Sequence, residues 1–149
     1  MLESAILKTF CSNYVSYYKA HSSHWNTTGR NFYSDHKLLN KIYEDLQDEI
    51  DTLAEIIRTL DILAPATLTE IVAVSNISDA PIFDDGDGDE FLMAVKDDLE
   101  QLVLDYQDLE ETAKDLQHNH IQNYSADRVR TLEKFIWMIR STLVGRDID

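Results

Sequence analysis

Apolar and aromatic residues recur every three or four positions at Leu2, Ile6, Phe10, Tyr14, Tyr17 and Trp25, with His21 and His24 on neighbouring turns. This spacing predicts a first helix over residues 3–27 that ends near Gly29. A second series, Leu39, Ile42, Leu46, Ile50, Leu53, Ile57 and Leu60, predicts another helix from about Asn31 to Leu60. Pro65 breaks the pattern, and Thr67 with Glu70 three residues on has the form of a capping box, which predicts a short helix over 67–74. The segment SDAPIFDDGDGDE (78–90) is the only loop of any length. Beyond it Leu92, Val95, Leu99, Leu102, Tyr106, Leu109, Ala113 and Leu116 define a third long helix. Ser125 is the expected cap of a fourth, carried by Val129, Leu132, Phe135, Ile136, Ile139 and Leu143. The expectation is an all-α four-helix bundle, one domain over 1–149, with its long connection between the second and third long helices and a short extra helix inside that connection.

Composition strengthens this reading. Sheet proteins need frequent turns, yet the chain has only 4 Gly and 2 Pro among 149 residues. A 44% hydrophobic content is enough for a core of substantial size. The formal charge of −15 repels nucleic-acid phosphates and anionic membrane surfaces and suits cations. Cys11 is the single cysteine, so the fold does not rest on an intrachain disulfide. The N-terminus has no basic stretch followed by a continuous apolar run, so it does not read as a signal peptide. No run of 18 apolar residues exists to span a membrane, and a cytoplasmic protein is expected.

The acidic loop invites one comparison. Asp85, Asp87 and Asp89 alternate like the opening of an EF-hand loop, but Glu90 stands where the sharp-turn glycine belongs and Lys96 where the bidentate glutamate belongs. The expectation is therefore a solvated loop whose carboxylates favour the start of the following helix.

The chemistry-bearing stretch is HSSHWNTTGRNFYSDHKLLNKIYEDLQDEIDTLAEII, residues 21–57. His24 is followed by His36 twelve residues later, Asp51 after fifteen more and Glu55 four further on. Two imidazoles and two carboxylates form a mixed donor set suited to iron, manganese or zinc. Asp51 and Glu55, one turn apart, project from one helix face. Fifteen residues at the rise of an α-helix put His36 about 22 Å from Asp51, so one ion cannot meet both within one chain. If all four act together, the site is shared between subunits. An antiparallel two-fold pair of second helices brings His24 and His36 of one chain onto Asp51 and Glu55 of its mate, giving two sites per dimer.

These residues carry a resemblance to the Dps (mini-ferritin) family. His24-Trp25-Asn26, His36 and the D-x-x-A-E element Asp51 to Glu55 match the family's ligand signature at all four positions. ATLTEIVAVSNISD (66–79) is similar to the family's segment between the second and third long helices, and RTLEKFIWMIRSTL (130–143) to its final helix. The resemblance covers most of the chain and implies a ferritin-like four-helix bundle. It also implies a homododecamer built from two-fold dimers around a cavity for ferric mineral. The function it implies is a ferroxidase, with His24, His36, Asp51 and Glu55 as metal ligands and catalytic residues, oxidising Fe²⁺ with hydrogen peroxide or oxygen. Zinc or manganese can compete for such ligands. An ordinary intrabundle ferritin centre needs Glu-x-x-His pairs, and the chain contains none.

Other residues receive plainer expectations. Glu44 and Asp48 continue the Asp51/Glu55 stripe and are candidates for mineral nucleation. His21 is expected at the surface or behind the ligands, and His118 and His120 in a solvated connection. Trp25 and Trp137 are expected to be packing residues, with radical scavenging beside the iron a secondary role that the resemblance implies for Trp25. Asp105, Asp108, Asp115 and Asp127 fit either an ion-entry pore, as family aspartates do, or an acidic solvated surface. Two rival functions remain. A DNA-compacting nucleoid protein would need cationic contacts, and family members that do this use a lysine-rich N-terminal extension. Here only Lys8 precedes Lys19, and twelve copies carry about −180 formal charges, so DNA binding is not expected. A non-enzymatic metal-binding assembly would fit structural zinc, but closed zinc sites favour four tight ligands, often thiolates, and Cys11 lies away from the motif.

Overall fold

The computed structural model describes residues 1–146 as helices and their connections. The helices are α1 (Leu2–Asn26), α2 (Phe32–Thr59), α3 (Leu68–Val74), α4 (Asp89–Asp115) and α5 (Asn119–Leu143). The α1 helix packs on α2, α4 and α3, and α4 packs on α5. Side-chain bonds give the directions. Asn13 and His24 of α1 meet Leu46 and His36 of α2 in reversed order, and Lys19 and Thr9 of α1 meet Asp98 and Asp105 of α4 likewise. Both α2 and α4 therefore run antiparallel to α1, which leaves α2 parallel to α4 and requires one long crossover. This is the ferritin-like plan.

The crossover is fastened along α1. Ser12 Oγ accepts from Asn76 N at 2.9 Å, and Lys19 Nζ donates to Ser78 O at 2.8 Å. The capping box at its start forms as predicted. Thr67 Oγ1 accepts from Glu70 N at 3.1 Å, while Glu70 Oε1 reaches back to Ala66 N at 3.4 Å. Isoleucine and leucine of all four long helices fill the centre, with Ile6, Leu39, Ile42, Leu46, Leu53, Leu99, Leu102 and Ile121 wholly buried.

Helix α1 is less amphipathic than its partners because three elements surround it. Thr9, Ser12, Asn13, Ser16 and Ser23 are buried beside its apolar residues. Cys11 is a free thiol within this core.

The last connection corrects one expectation. Ser125 does not cap α5. The helix starts at Asn119 with His118 at its N-cap, and Ser125 lies buried inside it, its hydroxyl donating to Ile121 O at 2.8 Å. The chain turns sooner because Gln117 adopts a left-handed conformation (φ 62°) and His118 N reaches back to Ala113 O at 2.8 Å. That Schellman closure satisfies the end of α4 within two residues. His118 is half-buried there, and His120 is exposed on the first turn of α5.

Candidate functional site

The elbow between α1 and α2 brings His24 and His36 face to face. Their rings stack with centroids 3.8 Å apart and planes at 16°. Each ring bonds to the other residue's backbone: His24 Nδ1 to His36 O at 2.8 Å, and His36 Nδ1 to His24 O at 2.7 Å. A carbonyl only accepts, so both Nδ1 atoms carry the hydrogen, and Nε2 is the nitrogen whose lone pair each neutral ring offers to a metal. A backbone carbonyl on the far nitrogen is the arrangement that orients metal-binding histidines. Phe32 stacks on the outer side of His36, with centroids 4.9 Å apart.

The elbow is held from below. Gly29 has φ +107°, and a Cβ there would run into Gly86 O and lie 2.8 Å from Asp87 Cα. The acidic loop thus packs directly against the turn, and only glycine fits. Asp35, wholly buried beside His36, is clamped by Arg146 through bonds of 3.0 and 3.2 Å, and Arg146 also reaches Asp89 at 3.0 Å. One guanidinium therefore joins the starts of α2 and α4 to the residues following α5.

Around His24 lies a group of aromatic rings. His21 stacks on Tyr43 at 3.8 Å and 8°, and its Nδ1 is 3.0 Å from the Tyr17 hydroxyl. Its pKa is lowered by burial first, then by His24. The expected packing role of the tryptophans does not hold in the single chain, because Trp25 and Trp137 are each 54% exposed. Trp25 nevertheless touches His21, with centroids 4.2 Å apart.

Asp51 and Glu55 lie far along α2. Both are exposed, and their carboxylates take part in none of the hydrogen bonds or ion pairs among the described residues. Glu44 and Asp48 are exposed on the same helix. The four predicted ligands thus fall into two groups, a paired histidine half and a free carboxylate half. The only three acid or imidazole groups close enough to share an ion, among the described residues, are those of Asp84, Asp85 and Asp87. Asp84 is already engaged. It accepts from Gly86 N, Gly88 N and Glu90 N at 2.6, 3.2 and 3.1 Å, holding the loop against the start of α4 as expected of this segment.

Asp105 corrects the pore expectation. It is buried and accepts from Asn76 Nδ2 at 2.8 Å and Gln101 Nε2 at 3.2 Å, so it tethers the crossover to α4. Asp108, Asp115 and Asp127 are exposed.

A charged network at the bundle centre was not foreseen, although its signal is visible in the sequence. Arg128 sits on the buried α5 stripe with Ile121, Ser125, Leu132 and Ile139. An arginine at a core position requires a partner, and it finds one in Asp45 of α2.

Comparison with known proteins places this architecture. The family model for Ferritin, a ferritin-like domain, matches residues 3–146. The chain is 30% identical over 129 residues to the DNA protection during starvation protein of Helicobacter pylori, covering 87% of this chain and 89% of that one. It is 32% identical over 129 residues to antigen TpF1 of Treponema pallidum, covering 87% and 72%. The crystal structure of TpF1 aligns with TM-score 0.90 at 28% identity over 97% of this chain and 92% of that one. A Dps protein from Vibrio cholerae O1, described as a member of a broad superfamily of ferritin-like diiron-carboxylate proteins, aligns with TM-score 0.88 at 27% identity over 95% and 88%. These matches define a ferritin-like helical protein. Within that class the chain belongs to the Dps family.

Proposed function

We propose that this protein is a ferroxidase and iron store whose oxidation site is completed between two subunits. His24 and His36 of one chain and Asp51 and Glu55 of its mate bind Fe²⁺, which is oxidised by hydrogen peroxide or oxygen and held as ferric mineral inside a dodecamer. The observation that carries this is the stacked histidine pair, whose reciprocal backbone bonds leave both Nε2 atoms free. Such a pair is half a coordination sphere. The missing half is carboxylate, and Asp51 and Glu55 are exposed and unbonded among the described residues, about 22 and 28 Å from His36 along the same helix. Large apolar side chains lie exposed beside the histidines, Phe32 at 40%, Trp25 at 54% and Tyr33 at 69%, as a face covered by a partner requires.

Carboxylates stabilise the higher charge of Fe³⁺, and neutral imidazoles in a small ligand set leave a position open to the oxidant. Two ferrous ions supply the two electrons that convert one peroxide to water. The exposed carboxylates of Glu44 and Asp48 then offer ferric ions a nucleating surface. Zinc or manganese can take the same ligands without this redox outcome. The charge of −15 opposes DNA compaction as the main role.

The test is anaerobic loading with Fe²⁺ followed by sub-stoichiometric peroxide. The expected result is rapid growth of near-ultraviolet absorbance, with iron co-eluting with a particle of dodecamer size. Protein that neither speeds oxidation nor retains iron would refute the function and leave the fold intact.

A further inference from the structure

The bundle centre holds a second pair of carboxylates that the interface site does not use. Asp45 and Glu49 stand one turn apart on α2 and face α5. Arg128 enters between them, 5% exposed, with Nη1 3.1 Å from Asp45 Oδ1 and Nη2 2.6 Å from Asp45 Oδ2. Its Nε has no hydrogen-bond partner and lies 3.9 Å from Glu49 Oε1. That Glu49 oxygen instead accepts the Tyr124 hydroxyl at 2.6 Å. The guanidinium also lies over the ring of wholly buried Tyr106, 5.8 Å from its centroid.

Two acids therefore converge on one buried monovalent cation, and the cation matches only one of them well. Burial works against the guanidinium charge, but the bond to Asp45 and the surrounding oxygens outweigh it and hold the pKa above the ordinary arginine value. The cation is permanent. Paired carboxylates one turn apart on an inward helix face are donors that hard divalent ions take, and bundle interiors are where such sites are built. The side chains of Asp45 and Glu49 remain 23% and 19% exposed, which leaves a way in for a small ion.

We propose that the Arg128 guanidinium is a built-in cation that keeps closed a second, intrasubunit divalent-metal site formed by Asp45 and Glu49. Ions reaching the subunit are thereby kept out of the bundle interior. The plainer alternative is a tie between α2 and α5 and nothing more. Removing the cation separates the two. A mere tie leaves two repelling carboxylates that a metal does not repair, whereas a stand-in leaves a vacancy that a metal fills.

The test uses metal-free assembled protein carrying Asp51→Ala and His36→Ala, so that the interface site does not contribute and its status does not affect the count. Co²⁺ alone is the probe, followed by visible absorption and calorimetric titration. Adding Arg128→Gln is expected to create one Co²⁺ site per chain, and Co²⁺ should raise the melting temperature of that variant but not of its parent. Asp45→Asn with Glu49→Gln should abolish the new site. Arg128→His, which offers an imidazole ligand, is the second variant, and refolding either one with Co²⁺ tests a form that does not fold without metal. The proposal is overturned by a folded Arg128→Gln protein that binds no more Co²⁺ than its parent, or by an added ion that survives loss of both carboxylates. Failure of both Arg128 variants to fold with or without Co²⁺ would also overturn it.

Discussion

The two ends of helix α2 present opposite kinds of order. At its start His36 is stacked, bonded to the backbone of α1 and backed by a buried aspartate under a guanidinium clamp. Toward its end Asp51 and Glu55 are exposed, and their carboxylates are bonded to nothing among the described residues. The histidine rings are thus oriented within the single chain, while no bond among the described residues holds the carboxylates. In the site proposed above, this division places orientation on one subunit and charge on the other. It also predicts separate effects of mutation, with fold and chemistry affected together at the first end and chemistry alone at the second.

The largest effect is expected at the free end. Asp51→Ala with Glu55→Ala should slow peroxide-driven Fe²⁺ oxidation by about 100-fold or more, since the proposed charge-stabilising ligands are gone. Stability should change by less than about 0.5 kcal/mol, as at other exposed positions. Stopped-flow oxidation and thermal melting read the two quantities, and a comparable loss of stability would break the contrast.

Arg146→Ala probes the support under the ordered end. It leaves Asp35 buried without its cation, and about 2 kcal/mol of unfolding free energy should be lost, less than for a fully buried pair because Arg146 remains partly exposed. Chemical denaturation measures this, and an unchanged midpoint would show that the clamp does not matter. His36→Ala should cost about 1 kcal/mol through its lost backbone bond and, unlike the carboxylate variants, reduce stability and oxidation together.

The smallest effect concerns pH. Burial, then the charge of His24, lowers the His21 pKa from its ordinary 6.5. The unfolded chain therefore takes up that proton first. This contribution to stability is complete above pH 6.5 and declines as pH falls through that value, levelling off below the folded-state pKa. Melting metal-free protein across this range should show the decline, and His21→Gln should flatten it.

Much of the fold was legible because long apolar series with a helical period bury one face whatever their surroundings. Thr67 and Glu70 were legible for a similar reason, since a capping box is satisfied locally. Ser125 misled because a serine before an apolar series resembles a cap, whereas the Schellman turn at Gln117 uses a residue without a glycine-like signature. Spacing along α2 was enough to argue that the four candidate ligands do not meet within one chain. It could not reveal that His24 and His36 hold each other through backbone carbonyls, because that depends on the angle of the elbow and the loop packed under Gly29. Asp105 escaped for the same reason, as nothing near it in sequence announces Asn76.

Subunit complementation tests the shared site most directly. A His24→Ala, His36→Ala chain and an Asp51→Ala, Glu55→Ala chain should each be inactive alone. Unfolded together in equal amounts and reassembled, half the dimers are mixed, and each mixed dimer carries one intact site and one doubly broken site. Oxidation should therefore return to about one quarter of the wild-type rate. Mixed dimers that form but recover no activity would contradict a site built from the histidines of one subunit and the carboxylates of the other.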